Sequence, residues 1–335
     1  MSNIIKVTNE DYDEYMTIDI MLSNICNFSC HYCHPGANIG DQKFPQDYEL
    51  FKTNFDYLLD VYRARGKKQF RIELTGGEPS LWPYIGDFAQ YIKRHGDVIV
   101  VLVTNGSRTM RWWKQNAHYF DEVHYSLHCP QGDPYHAIEV ADYIWNNTQN
   151  HVAINVCLDP IQWEESKKNL DIVVAHETPW LVKAWILIKN AHYMEDYTEE
   201  QIEYFREKVK KRPPQEYIDR IQQQGIIPKH KSKAILHLED GTILDYNSYE
   251  LRKDANLDFR GYECDIGLDR IHIIFGNLTN SCGITKMYQL DEKINLHDKN
   301  FKHKFNNSIV RPVICDVKRC GSCTKDLKVP KRKLT

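Results

Sequence analysis

Between residues 17 and 189, short apolar runs alternate with stretches in which apolar residues recur every three or four positions. That is the pattern of parallel strands joined by crossover helices. The runs predict strands over 17–22, 69–75, 98–104, 122–127, 151–157 and 181–188. Six strands are too few to close an eight-stranded barrel, so the expected fold is α/β, a partial (β/α)6 TIM-like barrel. In the first helical stretch Tyr48, Phe51, Phe55, Leu58, Leu59 and Tyr62 form one apolar stripe, with Asp47 placed to cap it.

Successive side chains of a strand point to opposite faces, which divides each run into two sets. Helices cover the apolar set, so the polar set, Asp19, Arg71, Glu73, His124, Ser126, His128 and Asn155, is expected to face the barrel interior. Buried charges persist when paired or when they meet a polar ligand. Both readings stand for this set: Arg71 and Glu73 as an internal pair, Ser126 and Asn155 near the carboxyl ends as ligand contacts. Cofactors in such folds sit at the carboxyl ends of the strands.

Past residue 190 the pattern changes. Thr198 with Gln201 three positions on reads as a capping box opening a charged helix over 198–211, and Pro213-Pro214 marks its end. Residues 191–228 are expected to be a helical connector. Strands then follow at 234–238, 242–246 and 271–275, with Glu239-Asp240-Gly241 as a hairpin turn. The division expected from these shifts is a lead-in over 1–16, a barrel over 17–190, the connector, and a smaller C-terminal domain over 229–335.

Charge alters this picture little. The 335 residues carry 43 Lys and Arg against 46 Asp and Glu, a net charge of -3, which makes no demand for nucleic acid as a partner. The basic tail Lys328, Lys331, Arg332 and Lys333 reads as a solvated terminus. No apolar run is long enough to span a bilayer, and the acidic N-terminus is unlike a secretory signal, so a cytoplasmic protein without a membrane partner is expected. Ten cysteines in such a protein point to metal ligation or free thiols rather than disulfides.

Three of the ten make the sharpest signal. Cys26, Cys30 and Cys33 are spaced C-x3-C-x2-C directly after the first strand. Three thiols in a short loop can ligate a cubane iron-sulfur cluster and leave one iron open to a substrate. Zinc is the alternative, with His31 or His34 as a fourth ligand. Thr75-Gly76-Gly77-Glu78-Pro79 follows the second strand, its paired glycines permitting close approach to the main chain and its glutamate able to accept from a cation. Thr104-Asn105-Gly106 ends the third strand in a turn at the same end.

Cys26-x3-Cys30-x2-Cys33, with Tyr32 before the last cysteine and Gly76-Gly77-Glu78 behind the next strand, resembles the signature of the radical S-adenosylmethionine (SAM) superfamily. The resemblance implies that SAM chelates the open iron of a 4Fe-4S cluster and is cleaved reductively to a 5'-deoxyadenosyl radical, with electrons from a donor such as flavodoxin or ferredoxin. It assigns Gly76, Gly77 and Glu78 to the SAM amino group and Tyr32 to the adenine. Asn105, Ser126 and Asn155 become further SAM contacts. Cys129 and Cys157, at the ends of the fourth and fifth strands, are either small buried side chains or hydrogen-atom donors of the kind some epimerising relatives use.

The stretch around Cys264 and Cys282 resembles the SPASM extension in its shortened Twitch form. By that resemblance Cys264, Cys282, Cys320 and Cys323 hold one auxiliary 4Fe-4S cluster, with Cys315 a fifth thiol, a competing ligand or a true member of the set; zinc is the alternative there too. The expected activity is hydrogen abstraction leading to oxidation or other modification of a peptidyl substrate. The rivals are a radical dehydrogenase or epimerase of a polar metabolite, and a non-catalytic, zinc-stabilised binding protein. The short lead-in leaves no room for a fused leader-peptide-binding domain, which leaves open a separate one.

Overall fold

In a computed structural model of the chain, the structure describes residues 3–9, 14–33, 38–187, 197–209, 213–223, 234–246, 258–279, 294–305, 310–316 and 329–334. Strands β1 (Ile4–Thr8) and β2 (Tyr15–Met21) open it. Helix α1 (Tyr48–Arg63) begins where an Asp47 carboxylate oxygen accepts from Leu50 N at 3.0 Å. Its buried stripe is Phe51, Phe55, Leu58, Leu59 and Tyr62, as the spacing predicts. The alternation continues through β3 (Gln69–Thr75), α2 (Ile85–Lys93), β4 (Val98–Thr104), α3 (Met110–Asn116) and β5 (Glu122–Leu127). Next come α4 (Pro134–Asn147), β6 (His151–Leu158), α5 (Trp163–Ala175) and β7 (Leu181–Ile186).

Helix α6 (Glu199–Val209) starts with the predicted capping box: Gln201 N donates to Thr198 Oγ1 at 3.2 Å and Thr198 N donates to Gln201 Oε1 at 3.0 Å. It is followed by α7 (Gln215–Gln223), β8 (Ala234–Leu238) and β9 (Ile243–Tyr246). The remaining described elements are β10 (Tyr262–Cys264), α8 (Ile266–Asp269), β11 (Arg270–Ile274), β12 (Asn277–Thr279), α9 (Phe301–Lys304), β13 (Val313–Ile314) and β14 (Lys331–Lys333).

The chain forms two compact units, Met1–Leu22 with Pro45–Ile72 and Pro228–Thr335, and Ser23–Phe44 with Glu73–Ile227. In the second unit β4, β5, β6 and β7 run parallel in that order. The fold is α/β with a parallel sheet, as the sequence predicts. Register sets Ser126 against Asn155 and Cys157 against Trp185. On β5, Val123, Tyr125 and Leu127 are buried while His124 and Ser126 are half-buried, so the alternation sorts side chains as expected.

The first unit departs from the sequence reading in three ways. Residues 4–8 of the supposed lead-in are a strand, pairing β8 on one side and β14 on the other in a six-stranded sheet of order β13-β10-β14-β1-β8-β9. The strand predicted at 271–275 is β11, shifted by one because Phe275 turns to a φ of 51°, and it lies parallel to β2 with Ile18 against Ile271 and Ile20 against Ile273. There Arg270 Nε donates to Asp19 Oδ2 at 2.7 Å, so Asp19 is part of a structural pair within this unit.

The basic tail is the third departure. Lys331, Arg332 and Lys333 form an internal strand rather than a solvated terminus. Acids meet two of the three cations: Arg332 reaches Glu263 and Asp265, and Lys333 reaches Glu239 at 2.8 Å. Lys331 lies buried, its ammonium donating to Val329 O at 2.6 Å and standing 5.6 Å from the Phe259 ring.

A second ion pair is taken deeper. Lys67 Nζ stands 2.6 Å from Asp269 Oδ1, with the two side chains only 8% and 10% exposed. Removing one partner of such a pair strands a buried charge. Lys67→Ala is therefore expected to lower the unfolding free energy by about 3–5 kcal/mol, while the double change Lys67→Met with Asp269→Leu recovers most of it. Urea unfolding of the three proteins checks this; a Lys67→Ala loss of only about 1 kcal/mol, the worth of a surface pair, would rule it out.

Candidate functional site

The three-cysteine loop leaves β2 at its carboxyl end and is held by its own backbone against the loop that follows β3. Gly77 N donates to Ser23 O at 2.9 Å and Glu78 N donates to Ile25 O at 2.8 Å. Gly77 is required by this zipper: a Cβ there would lie 2.3 Å from Ile25 O and 2.9 Å from Asn24 C. The close approach that the paired glycines predict is thus to the cysteine loop's main chain.

Glu78 is fully buried. Its carboxylate accepts from Ser80 N at 2.9 Å, Thr104 Oγ1 at 2.7 Å and Asn105 N at 2.7 Å. Burial raises its pKa, against the pull of these hydrogen bonds in the other direction. The glutamate expected to meet a ligand ammonium thus also caps the turn at residues 79–81 and ties it to the end of β4. A carboxylate has lone pairs for about four partners, so these three leave capacity for a further donor.

From the end of β4, Asn105 turns back to the loop. Its Nδ2 donates to Asn27 Oδ1 at 3.0 Å and stands 3.8 Å from Cys26 Sγ, which also receives Phe28 N at 3.3 Å. Cys30 Sγ lies 3.4 Å from Gln131 Oε1. Burial pushes the Cys26 and Cys30 thiols up from their ordinary range. Tyr32 OH stands 2.9 Å from His128 Nδ1 with the rings tilted against each other at 5.8 Å, and burial raises the phenol and lowers the imidazole to about 4.

All three cysteines are half-buried free thiols on one loop. Among the described residues no three His, Cys, Asp or Glu side chains stand together closely enough to hold a single metal ion. The soft thiol set is the one iron-sulfur clusters take. His31, the conceivable zinc ligand, points instead to Asp159, with Nε2 2.6 Å from Oδ2; His34 lies outside the described residues.

Ser126 and Asn155 are half-buried and directly opposed on β5 and β6. Neither side chain has a hydrogen-bond partner among the described residues. His124, on the same face, is taken by Glu122 at 3.2 Å. Cys157 and Cys129 are both buried, and burial pushes their thiols up to about 12 and about 11. Cys157 belongs to the face of β6 that carries Asn155.

Residues 20–155 match the family described as the Radical SAM superfamily. This match covers less than half of the chain. Proteins described as "Probable GTP 3',8-cyclase" resemble part of the chain. The one from Saccharolobus solfataricus is 30% identical over 128 residues, and the one from Thermococcus kodakarensis 30% identical over 124. In each the match spans 37% of this chain and 38% of the relative's length. Among solved structures, anSMEcpe with bound AdoMet superposes with a TM-score of 0.52 at 13% identity, covering 88% of this chain and 78% of its own. Streptococcus suis SuiB bound to precursor peptide SuiA gives 0.51 at 13% identity, covering 89% and 66%. At this identity the likeness is one of fold.

Of the C-terminal cysteines, Cys282, Cys320 and Cys323 lie outside the described residues. Cys264 and Cys315 are buried in separate apolar clusters, the first with Ile266 and Val329, the second with Ile4, Val7 and Phe259. Sequence reasoning assigned no part to Asp159 or Gln131, which touch the cysteine loop, or to Asn27 within it, which bonds Asn105. Their signal was position alone: Asp159 directly follows β6 at its carboxyl end.

Gly77→Ala forces the loop carrying Cys26 away from the loop after β3. Anaerobically reconstituted G77A is expected to hold markedly less iron than the unaltered chain, while its circular dichroism stays close to it. Equal iron content in the two proteins would show that the zipper does not set the cysteine loop.

Proposed function

We propose that this protein is a radical SAM enzyme that abstracts hydrogen from a substrate and thereby oxidises or otherwise modifies it. The observation that carries the reading is the three-thiol loop at the carboxyl end of β2, inside the segment that matches the superfamily. A 4Fe-4S cluster on Cys26, Cys30 and Cys33 supplies the electron that cleaves SAM when both are bound.

The chain's own residues have distinct tasks in this reading. Asn105 and the Phe28 amide direct N–H groups at the Cys26 sulfur, the kind of contact that stabilises ligated thiolate. Gly76, Gly77 and Glu78 border the place for the SAM amino group, and Tyr32, braced by His128, borders that for the adenine. Ser126 and Asn155 offer hydrogen bonds that the described residues leave unmade, which suits the carboxylate and ribose of SAM or a polar part of the substrate. Cys157 lies buried on that face and is the better placed of the two candidate hydrogen-atom donors. Cys129 is engaged with Gln162 at 3.4 Å. A weak one-electron donor such as flavodoxin or ferredoxin would serve the cluster.

A peptidyl substrate is favoured by one finding, that SuiB, which shares the fold, was solved with a precursor peptide. The half-buried polar face of Ser126 and Asn155 also fits a small polar metabolite, which is the second reading. In the C-terminal part, Cys264, Cys282, Cys320 and Cys323 are the proposed ligands of an auxiliary cluster in a Twitch-like region. Cys315 and Cys264 are both buried in apolar clusters, so packing does not choose between them and Cys315 stays a candidate fifth thiol. Among the described residues no helix is long and apolar enough to cross a membrane.

Reconstituted anaerobically, the protein is expected to hold roughly eight irons per chain, the content of two four-iron clusters, and with SAM and a reductant to release 5'-deoxyadenosine. Cys30→Ala is expected to abolish that release and remove about half of the iron, the share of one of the two clusters, with the fold retained. Zinc without iron in the wild type, or SAM cleavage by Cys30→Ala at the wild-type rate, would overturn the reading.

A further inference from the structure

Every residue between the three cysteines is fastened to the end of a strand in its own compact unit. Asn27 is bonded to Asn105 after β4, at 3.0 Å, and to Ser107 Oγ at 2.9 Å. Phe28 sets an edge against His128, the residue after β5, at 6.4 Å. Ser29 receives Gln131 Nε2 at 3.0 Å, from the same strand end. Tyr32 takes His128 itself. His31 takes Asp159, the residue after β6.

The last of these contacts differs from the others in burial. The Asp159 side chain has no exposure, while the His31 side chain is 41% exposed. A fully buried carboxylate is retained only where its oxygens are bonded. One Asp159 oxygen accepts from Ile161 N at 2.9 Å, and the other stands 2.6 Å from His31 Nε2. The aspartate is itself fixed, its amide donating to Ser166 Oγ at 3.2 Å on α5. The partner that is held in place is therefore the histidine. It sits directly after Cys30 and two residues before Cys33, and the Cys33 amide donates to Cys30 O at 3.1 Å to close the turn between them.

We infer that Asp159 is a positioning residue for the iron-sulfur loop: through His31 it anchors the Cys30–Cys33 turn to the carboxyl end of β6, so that two of the three thiols keep cluster-binding register. This deepens the proposed function and rests on it. Neither residue touches the cluster or the substrate in this role; Asp159 acts only through His31. Outer partners of metal-holding segments commonly matter about ten- to a hundredfold for metal retention, and Asp159 is the most buried of the residues that meet this loop's side chains.

The test measures cluster loss to an iron chelator under anaerobic conditions, taking as background a C26A/C30A/C33A variant that retains only iron held elsewhere. Asp159→Ala is expected to release the loop's iron about tenfold faster than wild type, the lower bound for such outer contacts, and to shift the cluster's midpoint potential. Asp159→Asn, which keeps an oxygen acceptor for His31, is expected to restore most of the retention.

His31→Gln keeps a donor for the buried carboxylate and serves if Asp159→Ala folds poorly; it too is expected to stay near wild type, whereas His31→Ala is expected to match Asp159→Ala. The double variant D159A/H31A should then be no worse than either single change. Wild-type retention and potential in Asp159→Ala, or additive losses in the double variant, overturn the inference. Failure of wild type to take up iron above the triple-cysteine background overturns the function it rests on.

Discussion

A fully buried carboxylate is the constraint on which the candidate site depends. Glu78 accepts from Ser80 N, Thr104 Oγ1 and Asn105 N, and its own amide donates to Ile25 O, immediately before the first cysteine. One residue thus joins the loop after β3, the end of β4 and the start of the cysteine loop. Taking a carboxylate out of water is costly unless its lone pairs are met, so the three donors and the glutamate hold one another in place. The same contacts aim Asn105 at Asn27 and Cys26. Loss of the glutamate would release the cysteine loop as well as any ligand it grips.

Much of this was legible in the sequence because it follows from short-range rules. Strand alternation sorted Ser126 and Asn155 to the face opposite Val123 and Ile154, and the structure places them in register on that face. The stripe of α1 and its Asp47 cap, the capping box of α6, and β3, β4 and β5 to the residue all follow from periodicity and turn chemistry. The cysteine spacing and the GGE segment pointed to the radical SAM family before any geometry was known, and the match over residues 20–155 agrees.

The parts that could not be read depend on partners far along the chain. Nothing near Lys331, Arg332 and Lys333 shows that Glu263, Asp265 and Glu239 wait to neutralise them, so the tail reads as solvated until the sheet is seen. Residues 4–8, Ile-Ile-Lys-Val-Thr, are β-branched but only five long, and their pairing comes from β8 and β14, more than 200 residues later. Asp19 looked like an interior ligand because Arg270, its partner, lies in the stretch that the sequence assigned to a separate C-terminal domain. Local pattern specifies which face a residue takes; what stands opposite is set by tertiary pairing.

The distribution of satisfied and unsatisfied polar groups then separates scaffold from ligand surface. Asn27, Ser29, His31 and Tyr32 are each bonded to a strand end, and Asp19 and His124 are paired. These groups are occupied in holding the loop or the sheet. Ser126 and Asn155 are different: half-buried, mutually opposed, and without a side-chain hydrogen bond among the described residues. Half-burial costs each of them part of its hydration, and the described residues supply no side-chain hydrogen bond in return. A polar molecule bound against β5 and β6 would restore those bonds, which is the ground on which this pair, beside Glu78 of the GGE segment, is proposed as a ligand contact.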